Sequence, residues 1–492
     1  MPDAAVRSII IGLMLAILLG ALDQTIVSVA LPRMAQELHG FELLAWVVSS
    51  YLVASTVAAP IYGKLGDLFG RRLLLLVAIT MFLLASLACA LSQTMPQLVG
   101  ARVLQGLGGG GLISIAQAII ADVVPLRERG RYQGHISGVF AVSSVAGPVV
   151  GGLLTHYLSW RWCFWINLPL GAAAFLVSRK ALTALPVPGV RRPIDYIGAM
   201  LLSTGLTALL VAITRAGQGV AWNSPQNMEL VAAAAVLLVA FVFWEGHAAE
   251  PIVPLRLFRI PAVALCCAVL FLAFFNLVGL SVLMPLRFQI VAGATADTAA
   301  WRLIPLSLMI PGGAFVAGRL MLSSGRYRPI QLAGSAIVPV ALLAIAFADV
   351  HGIILTALAM AAAGFGIGLQ FPTSLVAVQN AVPPQNIGIA TATTAFFRSM
   401  GGAVGISLLS SVLMATLQAN TLSTGTASTS GELLRGMIQS ALSGPDSTQR
   451  LVLEQLAVHA FRRIFEVAAC IALLPIILTF FVPDKTLRGR SS

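Results

Sequence analysis

Charge is what this chain has least of. Aspartate, glutamate, lysine and arginine make up 10% of its 492 residues, against about 25% in soluble domains. A chain so poor in charge cannot cover a water-facing surface, so a soluble globular fold is excluded. Carboxylates are scarcer than bases, 18 against 30. No paired carboxylates, metal-ligand cluster or Ser/His/Asp arrangement stands out, so no enzyme and no resident cofactor is expected. Cysteines are few as well. Cys89, Cys163, Cys266, Cys267 and Cys470 fall in or beside apolar runs, without histidine partners at metal-ligand spacing. They read as small buried hydrophobes rather than as disulfides. The net charge of +12 sits in short loops, without a basic stripe interleaved with aromatics, and nucleic acid is excluded as a partner.

What the chain has is apolar length: 58% of its residues are hydrophobic. A helix needs about 20 mostly apolar residues to cross a bilayer. That ruler predicts an all-α membrane protein with about fourteen spans. They lie near 8–31, 43–63, 73–92, 97–124, 132–156, 162–178, 194–214, 228–244, 262–286, 301–322, 330–348, 352–379, 388–416 and 460–482. The first run contains Asp23 and lacks a small-residue cleavage site, so it is expected to remain as a helix. With a cytoplasmic N-terminus and alternating spans, 19 of the 30 basic residues fall inside and 9 outside. That bias agrees with the positive-inside rule. The expected location is a bacterial inner membrane, multi-pass, with both termini cytoplasmic. One long loop near 418–459 is rich in Ser and Thr. An amphipathic stretch at 451–463 is expected to close it as an interfacial helix.

Two echoes suggest an internal repeat, a common transporter device. The loop at 63–72 matches 318–327 at its glycines, its leading basic residue, a leucine and the first trailing arginine. Asp67 faces Leu322. Pro125 and Gly130 are spaced like Pro383 and Gly388, and the same step onward reaches Gly147 and Gly405. The predicted architecture is a six-helix bundle over 1–190, two inserted helices over 191–256, and a second six-helix bundle over 257–492.

Several residues stand out against the apolar background. Asp23 lies inside the first span, where a carboxylate costs about 2.5–3.5 kcal/mol on insertion scales. Desolvation favours the neutral form of such a group, so proton uptake is one role and a structural ion pair is the other. Arg102, Gln105, Gly106 and Gly109 share one face of the fourth helix. Asp23 and Arg102 lie at similar depth, so a direct or water-bridged pair is feasible. The run Gly108 to Gly111 permits close backbone approach; it lacks the Lys and Ser/Thr of a phosphate loop. The fifth span carries Gly134, Gly138, Gly147, Pro148, Gly151 and Gly152, a smooth face with a proline bend.

These stretches together resemble the major facilitator superfamily, in its fourteen-span drug:proton antiporter branch. Residues 22–32 resemble the branch's first-helix motif, 63–72 the superfamily loop motif, 98–112 the helix-4 motif and 138–152 the helix-5 antiporter motif. Trp160, Arg161, Trp162, Asn167, Pro169 and Gly171 also look typical, as does Arg398 with Gly401, Gly402 and Gly405. The resemblance implies the major facilitator fold and proton-coupled export by alternating access. Asp23 would couple to the proton and Arg102 would tune it. Gly63, Asp67, Gly70, Arg71 and Arg72 would form a cytoplasmic latch, with Asp67 at a helix N-terminus in the second half. Gly138, Gly147, Pro148, Gly151 and Gly152 would form the hinge. Leu322 departs from the acidic pattern, so no second latch is expected.

Other polar and aromatic residues within spans keep two readings. Gln105 is expected to line a substrate cavity, and Asn276 and Gln370 line it or bond between helices. Phe271, Phe274 and Phe275 form an aromatic wall or face lipid. Arg398 attracts an anionic substrate or pairs with Glu466. Expected partners are a small-molecule substrate, protons and the lipid bilayer, with a periplasmic adaptor protein as a further candidate. The proton gradient would supply the energy, without a cofactor. The alternatives are a dedicated exporter or importer of one metabolite and, in another class, a non-transporting receptor or scaffold.

Overall fold

The computed structural model of the protein describes residues 3–39, 43–184, 195–217, 220, 222–248, 250–294, 296–349, 352–383, 386–424, 448–484 and 486. Helix occupies every expected segment. The longer helices are α1 (Asp3–Glu37), α2 (Leu44–Phe69), α3 (Arg71–Ala90), α4 (Met95–Val123), α5 (Leu126–Tyr157), α6 (Asn167–Ala181) and α7 (Tyr196–Gly217). They continue with α8 (Pro225–Glu245), α9 (Pro261–Ile290), α10 (Ile304–Ser324), α11 (Arg328–Phe347), α12 (Ile353–Ala381), α13 (Ile387–Thr424) and α14 (Thr448–Phe480). Among the described residues there is no strand. Twelve of the helices are long and apolar enough to cross a membrane. The other two are α5, which opens on Arg127, Glu128, Arg129 and Arg131, and α6. The latter has 15 residues because a break at Ile166 parts it from the one-turn helix Trp162–Trp165.

The chain packs as two bundles. In the first, α1 lies against α4, α5 and α6, while α4 also carries α2 and α3. In the second, α9 lies against α12, α13 and α14, and α12 carries α10 and α11. The bundles meet where α2 crosses α13 and α5 crosses α10. The inserted pair α7–α8 sits beside that seam, with α7 touching both α2 and α13. Large apolar residues cover the outside, including Leu84, Met200, Phe243 and Ile354. This is the surface of a multi-pass membrane protein, since lipid removes the penalty for exposing hydrocarbon.

The repeat is visible in geometry. Gly70 joins α2 to α3 with φ 91°, and Gly325 follows α10 with φ 68°. The two coincide in the repeat register, and both need the left-handed backbone that glycine alone adopts freely. At the seam, a methyl on Gly134 of α5 would lie 3.2 Å from the Phe315 Cα of α10. The equivalent residue on α13 is Ala392, whose Cβ would lie 2.4 Å from a methyl on Gly63 of α2. The glycine run of α4 admits two neighbours at once. A methyl on Gly108 would meet the Phe82 backbone of α3 at 2.8 Å, and one on Gly110 the Ser55 carbonyl of α2 at 2.3 Å.

The end of the long loop differs from expectation. Residues 425–447 lie outside the described residues, but the stretch at 451–463 is not a separate interfacial helix. It runs unbroken into α14. Arg462 and Arg463 reach Glu466 at 3.0 and 3.5 Å, and such one-turn pairs support a continuous helix. No proline or glycine interrupts it before Pro475.

Candidate functional site

Asp23 sits inside the first bundle, fully buried, in a cluster to which four other helices contribute. The Arg102 Nη1 of α4 donates to Asp23 Oδ2 at 2.5 Å. Gln105 Nε2, one turn further along α4, donates to Asp23 Oδ1 at 2.9 Å. Asn167 Nδ2, at the start of α6, donates to the same oxygen at 2.9 Å. Ser86 Oγ of α3 accepts from both amides, at 2.8 Å from Gln105 and 3.2 Å from Asn167. From α2, the Val47 carbonyl accepts from Arg102 Nε at 3.0 Å, and the Tyr51 ring lies 4.4 Å from the guanidinium carbon. Asp23, Gln105, Asn167 and Ser86 have no exposed surface, and Arg102 has 1%.

The arrangement follows from local sequence. Arg102 and Gln105 are three residues apart and share a helix face. Asn167 is turned inward by the break between Trp165 and α6. Gly106 and Gly109 bring α4 so close to α2 that methyls there would meet the Tyr51 carbonyl and hydroxyl at 2.4 and 2.3 Å. Chemically, the cluster is a desolvated acid with two amide donors beside a permanent cation. Arg102 also donates to Gln105 Oε1 at 2.7 Å, so it keeps two neutral acceptors if Asp23 becomes neutral. Asp23 and Arg102 are therefore directly paired. Gln105, read as a cavity residue, belongs to this cluster instead. Ser86 and Tyr51 carried no signal in the sequence, because only packing turns them toward Asp23.

A second polar cluster ties the bundles together. Asp67, near the end of α2, accepts from the Ile389 N–H at 3.2 Å, in the first turn of α13. A methyl on Gly388 would collide with the Asp67 carboxylate at 2.1 Å. Arg71 donates to Asp67 at 3.1 Å and also pairs with Asp122 of α4. Lys64 pairs at 2.8 Å with Glu250, in the connection that follows α8. Arg129, at the start of α5, donates to Gln379 of α12 at 3.1 Å. Arg72, expected in the same charge network, turns away and donates to the Arg179 carbonyl at 3.2 Å. Its position on the first turn of α3 faces α6 rather than the seam. The second loop has no counterpart to the Asp67 contact: Leu322 is exposed, and Tyr327 is held by the Pro483 carbonyl at 2.6 Å.

The glycines of α5 divide. Methyls on Gly147 and Gly151 would meet α1, at 2.0 Å from Thr25 Oγ1 and 2.7 Å from the Ile26 carbonyl. Methyls on Gly138 and Gly152 would meet nothing within 4 Å. Pro148 lies within helical backbone, and its side chain is outside the described residues.

In the second bundle, Phe275 is 3% exposed and belongs to the core, and the backbones of Phe271 and Phe275 pack under Gly401 and Gly405. Asn276 Nδ2 donates to the Leu272 carbonyl at 3.0 Å. Gln370 turns its Cγ toward Gly334 of α11. Among the described residues no group donates to Asn276 Oδ1 or Gln370 Oε1. Arg398 lies against Phe274 and Phe371, 5.2 Å from each ring centroid. Glu466, its alternative partner, is taken by Arg462 and Arg463.

The family model described as Major Facilitator Superfamily matches residues 13–406. An uncharacterized MFS-type transporter of Mycobacterium tuberculosis (strain ATCC 25618 / H37Rv) is 40% identical over 395 residues. That match covers 80% of this chain, and the chain spans 57% of the length of that relative. Multidrug resistance protein 3 of Bacillus subtilis (strain 168) is 34% identical over 413 residues, covering 83% of this chain and 80% of its own. Among solved structures, the human organic anion transporter MFSD10 (TETRAN) is similar with a TM-score of 0.68 at 16% identity, covering 97% of this chain and all of its own. The proton:xylose symporter XylE is similar with a TM-score of 0.64 at 15% identity, covering 99% of this chain and 98% of its own. At these identities the structural likeness speaks for the fold alone.

Proposed function

This chain belongs to the major facilitator superfamily, and from that premise we propose a proton-coupled exporter of small, lipophilic or drug-like organic compounds. The observation that carries this reading is the Asp23–Arg102 pair, fully buried in a membrane-spanning bundle. Substrate enters from the cytoplasm or inner leaflet, between the bundles. A proton from outside neutralises Asp23 and resets the carrier. Protonation releases Asp23 from Arg102, which keeps the Gln105 and Val47 oxygens. Asp23 is half a turn from Thr25, which meets Gly147, so a change at Asp23 reaches the α1–α5 contact directly. Gly147, Gly151 and Pro148 form the hinge there. Competition between proton and substrate supplies the differential affinity that any coupled shift requires. Relatives named for multidrug resistance and multidrug transport support a broad substrate range.

In the same reading Asp67 is the latch, on the cytoplasmic side. A negative charge at the N-terminus of α13 is favoured by the helix dipole by about 0.3–1 kcal/mol, and up to about 2 when partly buried. Asp67→Asn is expected to shift the equilibrium toward the state in which this end of the seam is open, by about 2–30-fold. Electron–electron distance measurements between spin labels at Phe69→Cys and Ser323→Cys read that shift directly. An unchanged distance distribution removes the latch role.

The function itself is tested with inverted vesicles. Lipophilic cations, neutral drugs and organic anions are supplied with and without an imposed proton gradient. Gradient-dependent movement of several unrelated compounds is the expected result. Movement that ignores the gradient overturns proton coupling.

A further inference from the structure

Among the described residues the fold buries four arginines, Arg102, Arg129, Arg287 and Arg398. It supplies three of them with acceptors. Arg102 holds Asp23, Gln105 and the Val47 carbonyl. Arg129 holds Gln379 and the Val124 carbonyl, at 3.1 and 3.0 Å. Arg287 donates to the carbonyls of Ile345 and Ala348, at 2.6 and 2.9 Å. Arg398 has no acceptor at all among the described residues; its contacts are the two phenylalanine rings.

A buried cation without a paired anion or acceptor is among the more expensive features a protein can hold. Aromatic faces offset part of that charge, by about 0.5–2 kcal/mol each. They provide no hydrogen-bond acceptor for the five N–H groups of a guanidinium. Arg398 is 8% exposed, and none of its nitrogens is both sealed and unpartnered. Its donors therefore border accessible space rather than packed protein. Phe274 and Phe371 meet at 74° with centroids 6.0 Å apart, forming an apolar corner against which the guanidinium rests. Gly402 keeps the helix crossing tight: a methyl there would lie 2.8 Å from Val278.

We propose that Arg398 and the Phe274–Phe371 corner form an anion subsite that receives the carboxylate of a substrate with an aromatic or aliphatic body. The guanidinium fork matches a carboxylate with two parallel charge-assisted hydrogen bonds, and the rings take the adjoining apolar carbon. Depth distinguishes a solute from a lipid headgroup. The membrane-spanning part of α13 starts at Ile387, and Arg398 lies roughly 16 Å along the helix from there. That is near the middle of a hydrocarbon core about 30 Å thick, beyond the reach of headgroups confined to the interface. The assignment names the substrate class for the exporter proposed above and rests on that reading for its physiological meaning. The binding chemistry does not depend on it.

The test is equilibrium binding to the purified full-length chain in neutral detergent, with no gradient present. The probes are naphthalene-2-carboxylate, the neutral naphthalene-2-carboxamide and the cationic naphthalen-2-ylmethylammonium. The wild-type chain is expected to bind the carboxylate at least about tenfold more tightly than the amide, the gain of a charge-assisted contact. Arg398→Gln is expected to bring carboxylate binding down to the level of the amide, and Arg398→Lys to keep part of the preference. Equal binding of carboxylate and amide by the wild-type chain overturns the proposal, as does a preference that survives Arg398→Gln. Displacement of the carboxylate by phosphatidylglycerol also overturns it, in favour of a lipid site. The wild-type comparison stands even if a variant fails to fold. A chain that binds carboxylates selectively yet moves substrate without regard to the proton gradient refutes the coupling and leaves the subsite intact.

Discussion

Asp23→Asn is expected to abolish gradient-driven export while the protein still inserts and folds. The amide keeps the shape of the carboxylate and one acceptor oxygen for Gln105 and Asn167, but it cannot take up and release a proton. It also leaves Arg102 without its counter-charge. Removing one partner of a buried ion pair costs about 3–5 kcal/mol, whereas removing both is often nearly neutral. Asp23→Asn alone is therefore expected to lower the unfolding temperature in detergent, and the double variant Asp23→Asn/Arg102→Gln to recover most of that loss. Neither is expected to regain transport, with rates down by at least about 100-fold, the scale of a lost proton-transfer group. Counterflow of labelled substrate without a gradient separates the two effects. A folded single variant that exchanges substrate but ignores the gradient supports coupling through Asp23. Full gradient-driven export by that variant would falsify it.

Gly147→Val is expected to stop turnover through packing. A methyl on Gly147 falls 2.0 Å from Thr25 Oγ1 and 2.6 Å from Thr25 Cβ. Thr25 is held in place by its bond to the Ser143 carbonyl at 2.9 Å, so it cannot rotate away without losing that contact. Overpacking of this kind costs about 1–3 kcal/mol or more, and here it pushes α5 off α1. Transport is expected to fall by at least about tenfold, since about 1.4 kcal/mol is a factor of ten in rate. Gly138→Val is the control. It lies in the same helix-5 stretch, yet a methyl there meets nothing within 4 Å. It is expected to keep more than about half of wild-type transport, because substitutions away from packed features stay within about 0.5 kcal/mol. Equal damage from both variants would show that the stretch matters as a flexible segment and not as a contact with α1.

Much of this protein could be read before any coordinates. The fourteen helical segments follow from one physical constraint: a chain inside hydrocarbon must satisfy its backbone within each span. Apolar runs of span length leave few other choices. The Asp23–Arg102 pair was within reach because depth along a helix is simple counting at 1.5 Å per residue. Gln105 shared Arg102's face by the same counting. In the second loop Leu322 stands opposite Asp67, so the acidic side chain that contacts α13 in the first loop has no equivalent at that position.

Other features needed three dimensions. Asn167 and Ser86 complete the Asp23 site from α6 and α3, and no spacing within one helix says which neighbour it will face. Arg72 resembles Arg71 in sequence, yet one step along a helix turns a side chain by about 100°. Arg71 therefore meets Asp67 and Asp122, while Arg72 meets α6. Gly138 and Gly147 look alike in a motif, and only the crossing of α1 over α5 makes one a contact and the other open.

The amino-acid sequence by itself determined that this chain lives in a membrane, where along the chain its helices run, and which charges they carry inward. Those outcomes depend on composition and on distance along single helices. The tertiary structure decided how the buried charges are satisfied: Asp23 by amides of α4 and α6 beside Arg102, Asp67 by the start of α13, and Arg398 by no acceptor among the described residues. Pairing in a low-dielectric interior is set by the rotation and crossing of separate helices, and a one-dimensional pattern does not contain those angles.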